Sequence, residues 1–389
     1  MMTVGVVGAG AMGSGIAQVA LRNGHPVILA DVEKSAALKA KENIAGAFAR
    51  EVEKGRLTSE AAADAQARLS VASLPLGLGD FAPCELVVEA IVEGLDAKQS
   101  LFQALEGVVS PESVLATNTS SLSVTSIASA CENPSRVVGM HFFNPAPVMP
   151  LVEIIPGAQT SVAVLRAARG IADGWGKVTV LAADSPGFIV NRVARPYYGE
   201  SLRILEEGVA DAPTIDWALR ELGGFRMGPF QLMDFIGNDV NYAVTESVWR
   251  ATYFDARYKP SITQRRLVEA GWLGRKAGRG FYDYSDGATS RPATEDRALG
   301  QSIVSRVLAM LVNEAVDVVH WRIAAPADVD LAMTKGVNYP RGPLAWGNEI
   351  GLDNVLGEIE RLRAETGEDR YRPSPLLRRM VREGRRFLE

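Results

Sequence analysis

The second half of this chain repeats itself. GFIVNRV from Gly187 aligns with QSIVSRV from Gln301, and one constant offset then pairs Glu200 with Glu314, Asp216 with Asp330, Gly228-Pro229 with Gly342-Pro343 and Ile236-Gly237 with Ile350-Gly351. Further on, RYKPS from Arg257 answers RYRPS from Arg370. An offset held over such a span without a gap is a duplication, and its apolar residues recur at helical spacing throughout. The half after residue 184 therefore reads as two tandem all-α units, 185–284 and 301–389, joined by a polar linker over 285–300 that contains Pro292. The copies differ where chemistry would sit. Ser305 replaces Asn191, and GRKAGRGFYDY over Gly274 to Tyr284 has no evident counterpart before the chain stops. The first copy reads as functional and the second as its structural partner.

Residues 1–184 alternate strand and helix patterns, which predicts an α/β domain with a parallel sheet. Val4 to Val7 is a short apolar run leading into Gly8-Ala9-Gly10-Ala11-Met12-Gly13, after which Ile16, Val19 and Ala20 recur at helical spacing. In that strand–turn–helix context the glycines signal a dinucleotide site. Gly8 allows the turn, Gly10 lets backbone approach a pyrophosphate, and Gly13 lets helix pack on strand. A second strand, Pro26 to Ala30, ends at Asp31, where an adenosine ribose would lie. A carboxylate there accepts from ribose hydroxyls and repels a 2′-phosphate by about 4 kcal/mol for unit charges 4 Å apart at an effective dielectric near 20, which favours NAD over NADP. The plainer alternative is that Asp31 caps the helix beginning near Glu33. Arg50 and Lys54 share a face of that helix. Spacing alone favours a solvated stripe over an anion site.

Further strand-like runs occupy Leu69 to Ala72, Glu85 to Ala90 and Ser113 to Thr117, the last delivering TNTSSL, with Ser120, at its carboxyl end. Ligands bind at that end of an open α/β sheet. Arg136 to Met140 is another strand with His141 at its end. A lone histidine there is as readily structural as catalytic. Glu153, a charge inside the apolar run Leu151 to Ile155, shifts the balance because a buried carboxylate needs a partner. A Ser, His and acid set suggests acyl transfer, yet no GxSxG elbow surrounds Ser120 and no HGGG-type loop is visible. With a dinucleotide signature upstream, the three groups read instead as proton handlers beside a hydride acceptor.

Composition closes off other classes. With 47% apolar residues and 41 Lys and Arg against 46 Asp and Glu, no global field invites nucleic acid. No apolar run approaches the roughly 18 residues of a membrane span. Cys84 and Cys131 lack metal-ligand spacing and read as reduced thiols of a cytoplasmic protein. No metal is expected. The C-terminal Arg378, Arg379, Arg382, Arg385 and Arg386 read as a solvated helical face.

GAGAMGSGIAQ, VVEAIVE, NTSSL, MHFFNPAPVM, PGFIVNR, MGPF and GWLGRKAGRGFYDY, in that order from Val4 to Tyr284, resemble the motifs of the 3-hydroxyacyl-CoA dehydrogenases, including the 3-hydroxybutyryl-CoA dehydrogenases. The two-copy helical half resembles the branch acting on 3-hydroxyadipyl-CoA in phenylacetate breakdown, with a shorter segment between the copies. The resemblance implies a Rossmann-like NAD-binding domain followed by helical repeats. It makes His141 the general base, Glu153 its orienting carboxylate, Ser120 a partner of the substrate 3-oxygen and Asn191 a substrate contact. To the cofactor site it adds Ala90, Glu93, Lys98, Asn118, Asn144 and Lys276, and it moves Arg50 and Lys54 from solvated stripe to CoA phosphate contacts. The second copy is expected to pack on the first as a partner subunit would, giving a pseudo-dimer within one polypeptide, itself monomeric or a homodimer. Rival readings are a dehydrogenase of a free hydroxy acid or sugar acid, of the gulonate type, and a non-catalytic NAD-binding structural protein.

Overall fold

The computed structural model describes residues 1–74, 77–289 and 291–388 and divides into two compact units, Met1–Phe188 and Ile189–Glu389. The first unit is an eight-stranded sheet flanked by helices. In chain order it comprises β1 (Val4–Val7), α1 (Ala11–Arg22), β2 (Val27–Asp31), α2 (Lys34–Glu53), α3 (Ser59–Ala67), β3 (Leu69–Ser73), β4 (Leu86–Glu89), α4 (Leu95–Glu106), β5 (Val114–Thr117), α5 (Val124–Ala128), β6 (Val137–Phe142), β7 (Leu151–Pro156), α6 (Val162–Gly174) and β8 (Val178–Leu181). The strand order is β3-β2-β1-β4-β5-β6-β7-β8. All pairs are parallel except β6 with β7. The order reverses between β1 and β4, so the carboxyl ends of those two strands frame the crevice where such sheets bind ligands. β1, β4, β5 and β6 are buried along their whole length, as helices on both faces require.

Two features depart from the sequence reading. β6 runs on through Phe142, so His141 lies within the strand and not at its end. The apolar run after Met149 is itself a strand, and antiparallel pairing of β7 with β6 sets Glu153 directly opposite His141.

The second unit is helical. It comprises α7 (Val190–Val193), α8 (Arg195–Glu206), α9 (Ala212–Trp217) continuing into a π-helical turn at Ala218–Leu222, α10 (Pro229–Ile236), α11 (Asn238–Ala251), α12 (Ile262–Glu269), α13 (Arg297–His320), α14 (Pro326–Gly336), α15 (Pro343–Ile350), α16 (Leu352–Thr366) and α17 (Pro375–Glu383). The duplication is visible element by element. α7 with α8 corresponds to α13, α9 with its π turn to α14, α10 to α15, α11 to α16 and α12 to α17. Asp216 accepts from the backbone N–H of Phe230 and Gln231 at the start of α10, and Asp330 repeats this with Leu344 and Ala345 at α15. α13 opens at Arg297, inside the stretch read as a linker, because Asp296 caps it by accepting from the N–H of Ala298 and Leu299. Ser290 of that stretch lies outside the described residues.

The sequence reading found no counterpart of the GRKAGRGFYDY stretch, and the structure supplies one. Phe281 N–H donates to Asp234 Oδ1 in the first copy, and Phe387 N–H donates to Asn348 Oδ1 in the second. Gly278 and Gly384, each three residues before its phenylalanine, both take positive φ, 73° and 63°. The GRRF segment from Gly384 is the counterpart of that loop, hidden because the spacing before it contracts.

The two copies pack with reciprocal contacts. Glu314 of the second accepts from Arg192, Arg257 and Tyr258 of the first, while Glu200 of the first pairs with Arg306, Arg370 and Tyr371 of the second. Residue i meets j′ and i′ meets j, the signature of a two-fold interface. Here it lies within one chain.

Candidate active site

The glycine turn follows directly from β1. Gly8 has φ 102°, and a Cβ there would come within 2.4 Å of the Ala90 carbonyl oxygen. A Cβ on Gly13 would meet the Gly8 oxygen at 1.8 Å, so only glycine lets α1 start this close to the strand. At Gly10 a Cβ would find nothing within 4 Å. Backbone at the α1 N-terminus is thus open to an incoming group, and that end of a helix favours anions. Gly8, Gly10, Ala11, Met12, Asp31 and Ala90 line a cleft of about 630 Å³. Asp31 Oδ2 accepts from Ala9 N–H at 2.7 Å and Oδ1 from Glu33 N–H at 3.1 Å, which ties the end of β2 to the glycine turn and to the start of α2. α2 begins after Glu33 with no side-chain cap, so Asp31 braces the turn before the helix and does not cap it. These residues fit a pyrophosphate and an adenosine ribose.

The loop carrying Ser120 is organised by charge. Glu93 Oε1 accepts from Thr119 Oγ1 at 2.7 Å, from Ser120 N–H at 3.0 Å, and from Ser121 N–H and Oγ at 3.1 and 2.9 Å. Burial pushes the Glu93 carboxyl up, but Lys98 and these donors outweigh it and hold it below the usual carboxylate range. Lys98 is 1% exposed, its ammonium set 2.5 Å from Glu89 Oε1 and 3.2 Å from Glu93 Oε2. Glu89, fully buried, also accepts from Thr117 Oγ1 at 2.7 Å and Ile91 N–H at 2.7 Å. The hydroxyl is what Glu89 uses at position 117. Asn118 Oδ1 accepts from Phe142 N–H at 2.8 Å and pins the loop to β6 beside His141.

His141 Nδ1 lies 2.7 Å from Glu153 Oε2, with His141 5% and Glu153 0% exposed. A carboxylate has no proton to give, so Nδ1–H donates and the lone pair is left on Nε2. The rings of Phe143 and Phe188 flank the imidazole at 4.5 and 5.8 Å. An imidazole fixed in one tautomer, with a buried carboxylate behind it, can accept a proton at Nε2 and be stabilised as it does so. Asn144 follows on the exposed loop after β6, joined to Pro145 by a cis peptide. Lys177 clamps that loop by donating to the carbonyl oxygens of Ala146 and Met149 at 2.5 and 2.9 Å.

Other expected residues belong to other elements. Arg50 and Lys54 stand exposed at the C-terminal end of α2, and neither lines the glycine cleft. Asn191 and Lys276 belong to the helical unit, Asn191 on α7 and Lys276 paired with Asp239 at 2.7 Å. Sequence reasoning missed Glu89, Thr117 and Lys177. For Glu89 the signal was present, since a charge inside an apolar strand needs a partner just as Glu153 does.

The NAD-binding-domain model of the 3-hydroxyacyl-CoA dehydrogenases matches residues 3–185, and their C-terminal-domain model matches 187–284 and again 303–386. This chain belongs to the 3-hydroxyacyl-CoA dehydrogenase family. It is an NAD-dependent oxidoreductase. Among relatives, the 3-hydroxyadipyl-CoA dehydrogenase of Escherichia coli K12 is 38% identical over 97% of both chains. A probable 3-hydroxybutyryl-CoA dehydrogenase of Deinococcus radiodurans is 42% identical, its whole length matched by 73% of this dehydrogenase. The crystal structure of 3-hydroxybutyryl-CoA dehydrogenase from E. coli K12 superposes with a TM-score of 0.92 at 37% identity, covering 98% of each chain. The match of the C-terminal family model to two separate segments agrees with the duplication read from the sequence. No described helix of the dehydrogenase is long and apolar enough to cross a membrane.

Proposed function

We propose that this enzyme oxidises a 3-hydroxyacyl-CoA to the 3-ketoacyl-CoA with His141 as general base. The observation that carries the reading is the buried His141–Glu153 pair at 2.7 Å on adjacent strands of a dinucleotide-binding sheet. Bound NAD supplies the hydride acceptor. His141 Nε2 takes the substrate hydroxyl proton while the Ser120 hydroxyl donates to the same oxygen. Positive charge then develops on an imidazole already facing the Glu153 carboxylate, so the pair stabilises the transition state more than the ground state.

Asn191 contacts the substrate in this reading, and Arg50 and Lys54 meet the CoA phosphates from the end of α2. Gly8, Gly10, Ala11, Met12, Gly13, Asp31 and Ala90 receive the dinucleotide, with Glu93, Asn118, Asn144 and Lys276 completing its site. Lys98 serves it indirectly by holding Glu93. Likeness over the whole length both to a 3-hydroxyadipyl-CoA dehydrogenase and to a structure of a 3-hydroxybutyryl-CoA dehydrogenase keeps both thioesters as candidate substrates. Measuring kcat/KM for both thioesters and for free 3-hydroxybutyrate tests this, and turnover of the free acid as fast as the thioesters contradicts the CoA assignment. The internal two-fold interface supports a monomer, which light scattering would check. The free, buried Cys84 and Cys131 fit a reducing cytoplasm.

A further inference from the structure

α7 is one turn long, and Pro196 at the start of α8 interrupts the path between them. A single turn has few internal hydrogen bonds, so tertiary contacts decide how firmly it holds its side chains. Arginines on either side of Asn191 supply such contacts. Arg195 Nε donates to the Asn191 carbonyl oxygen at 2.8 Å while its Nη1 donates to Thr245 Oγ1 at 2.9 Å. Arg192 Nε donates at 2.8 Å to Glu314 Oε1, and Glu314 belongs to the second copy. That carboxylate is fully buried and also accepts from Arg257 Nη1 at 3.1 Å and from the Tyr258 hydroxyl. Charge-assisted bonds of this kind fix geometry more firmly than neutral ones.

We propose that Glu314 is a positioning residue for catalysis: through Arg192 it fixes the turn that carries Asn191, so the second copy completes the substrate contact of the first. The proposal rests on the reading that Asn191 meets the substrate.

The fold contains its own control. Glu200, in the mirror position, is 1% exposed, accepts from Arg306 Nε at 3.1 Å and the Tyr371 hydroxyl at 2.8 Å, and lies 3.4 Å from Arg370 Nε. The helix it grips, α13, is continuous over 24 residues and carries Ser305 where the first copy has Asn191. The two carboxylates match in burial and partners and differ in what they hold.

Glu314→Gln and Glu200→Gln in the full chain separate the roles. Melting temperature, NAD dissociation constant and kcat with 3-hydroxybutyryl-CoA are measured for each, alone and combined with Asn191→Ala. Both single variants lower the melting temperature to a similar extent. Glu314→Gln alone lowers kcat about tenfold or more, as a displaced contact does, with NAD affinity unchanged and no further loss in the Asn191→Ala background. Arg192→Gln leaves Glu314 with Arg257 and Tyr258, reproduces the loss, and serves if Glu314→Gln does not fold. The proposal is overturned if the two Gln variants lose turnover equally, if Glu314→Gln adds its full loss to that of Asn191→Ala, or if Arg192→Gln turns over like wild type. Wild-type turnover by Asn191→Ala itself overturns the reading of Asn191, and this proposal with it.

Discussion

The two helical copies share their elements, their capping aspartates and their reciprocal charge clusters, yet beyond Asn191 against Ser305 their structures have diverged. Pro196 breaks the first helix of copy one, because it lacks an N–H and its ring obstructs the preceding turn, whereas Met310 stands at the matching position inside the continuous α13. A π-helical turn follows α9 but not α14. The closing loop has also changed its bonding. Asp234 accepts from Phe281 N–H, Tyr282 N–H, the Tyr284 hydroxyl and Asn238 Nδ2. Asn348 accepts from Phe387 N–H and donates to Phe387 O. A carboxylate can only accept and so gathers donors from a full loop, while a carboxamide satisfies both backbone groups of one residue. The more regular structure belongs to the second copy, and the interrupted structure to the copy that carries Asn191.

Removing the second copy is the harshest way to break this comparison. Truncation after Tyr284 strips the partners of Glu200 and exposes the apolar face that α13 covers. Light scattering should find self-association or insolubility, and a well-behaved monomer would refute the pseudo-dimer. Exchange of one residue comes next. Asn191→Ser should lower kcat/KM about ten- to hundredfold for loss of a polar substrate contact, while Ser305→Asn leaves it unchanged; equal effects would erase the distinction between the copies. Stability should treat the copies alike, with Glu314→Gln and Glu200→Gln each costing about 3–5 kcal/mol in denaturant unfolding as buried charges lose a partner.

The smallest effect is in pH. Burial pushes the Asp216 carboxyl from 3.8 up to about 6, against hydrogen bonds from Tyr282, Phe230 and Gln231 that lower it, and burial also raises Asp330. A folded-state value above the unfolded one contributes stability that is complete below 3.8 and lost as the pH rises through about 6. Asp216→Asn should therefore flatten the thermal stability profile over that interval. An unchanged slope would contradict the assignment.

Much of this architecture was legible in the sequence because it is locally encoded. The glycine turn, Asp31 and the strand–helix alternation follow from composition over a few residues, and the duplication from simple alignment. What escaped depends on pairing between distant segments. His141 was read as the partner of Glu153, but nothing local shows that Leu151–Pro156 turns back along β6, the register that sets the two opposite each other. Lys98 sits on an otherwise ordinary amphipathic helix, and its burial between Glu89 and Glu93 follows from the sheet and loop packed against it. The closing loop of the second copy escaped because the spacing before it contracts while its bonding partner, Asn348, stays in register.

The assignment of chemistry to one imidazole is open to a single direct measurement, NADH formation from 3-hydroxyacyl-CoA by His141→Ala. The rate should fall by about 10² to 10⁴ or more, with NAD affinity preserved because the glycine turn and Asp31 are untouched. Turnover close to wild type would contradict the account.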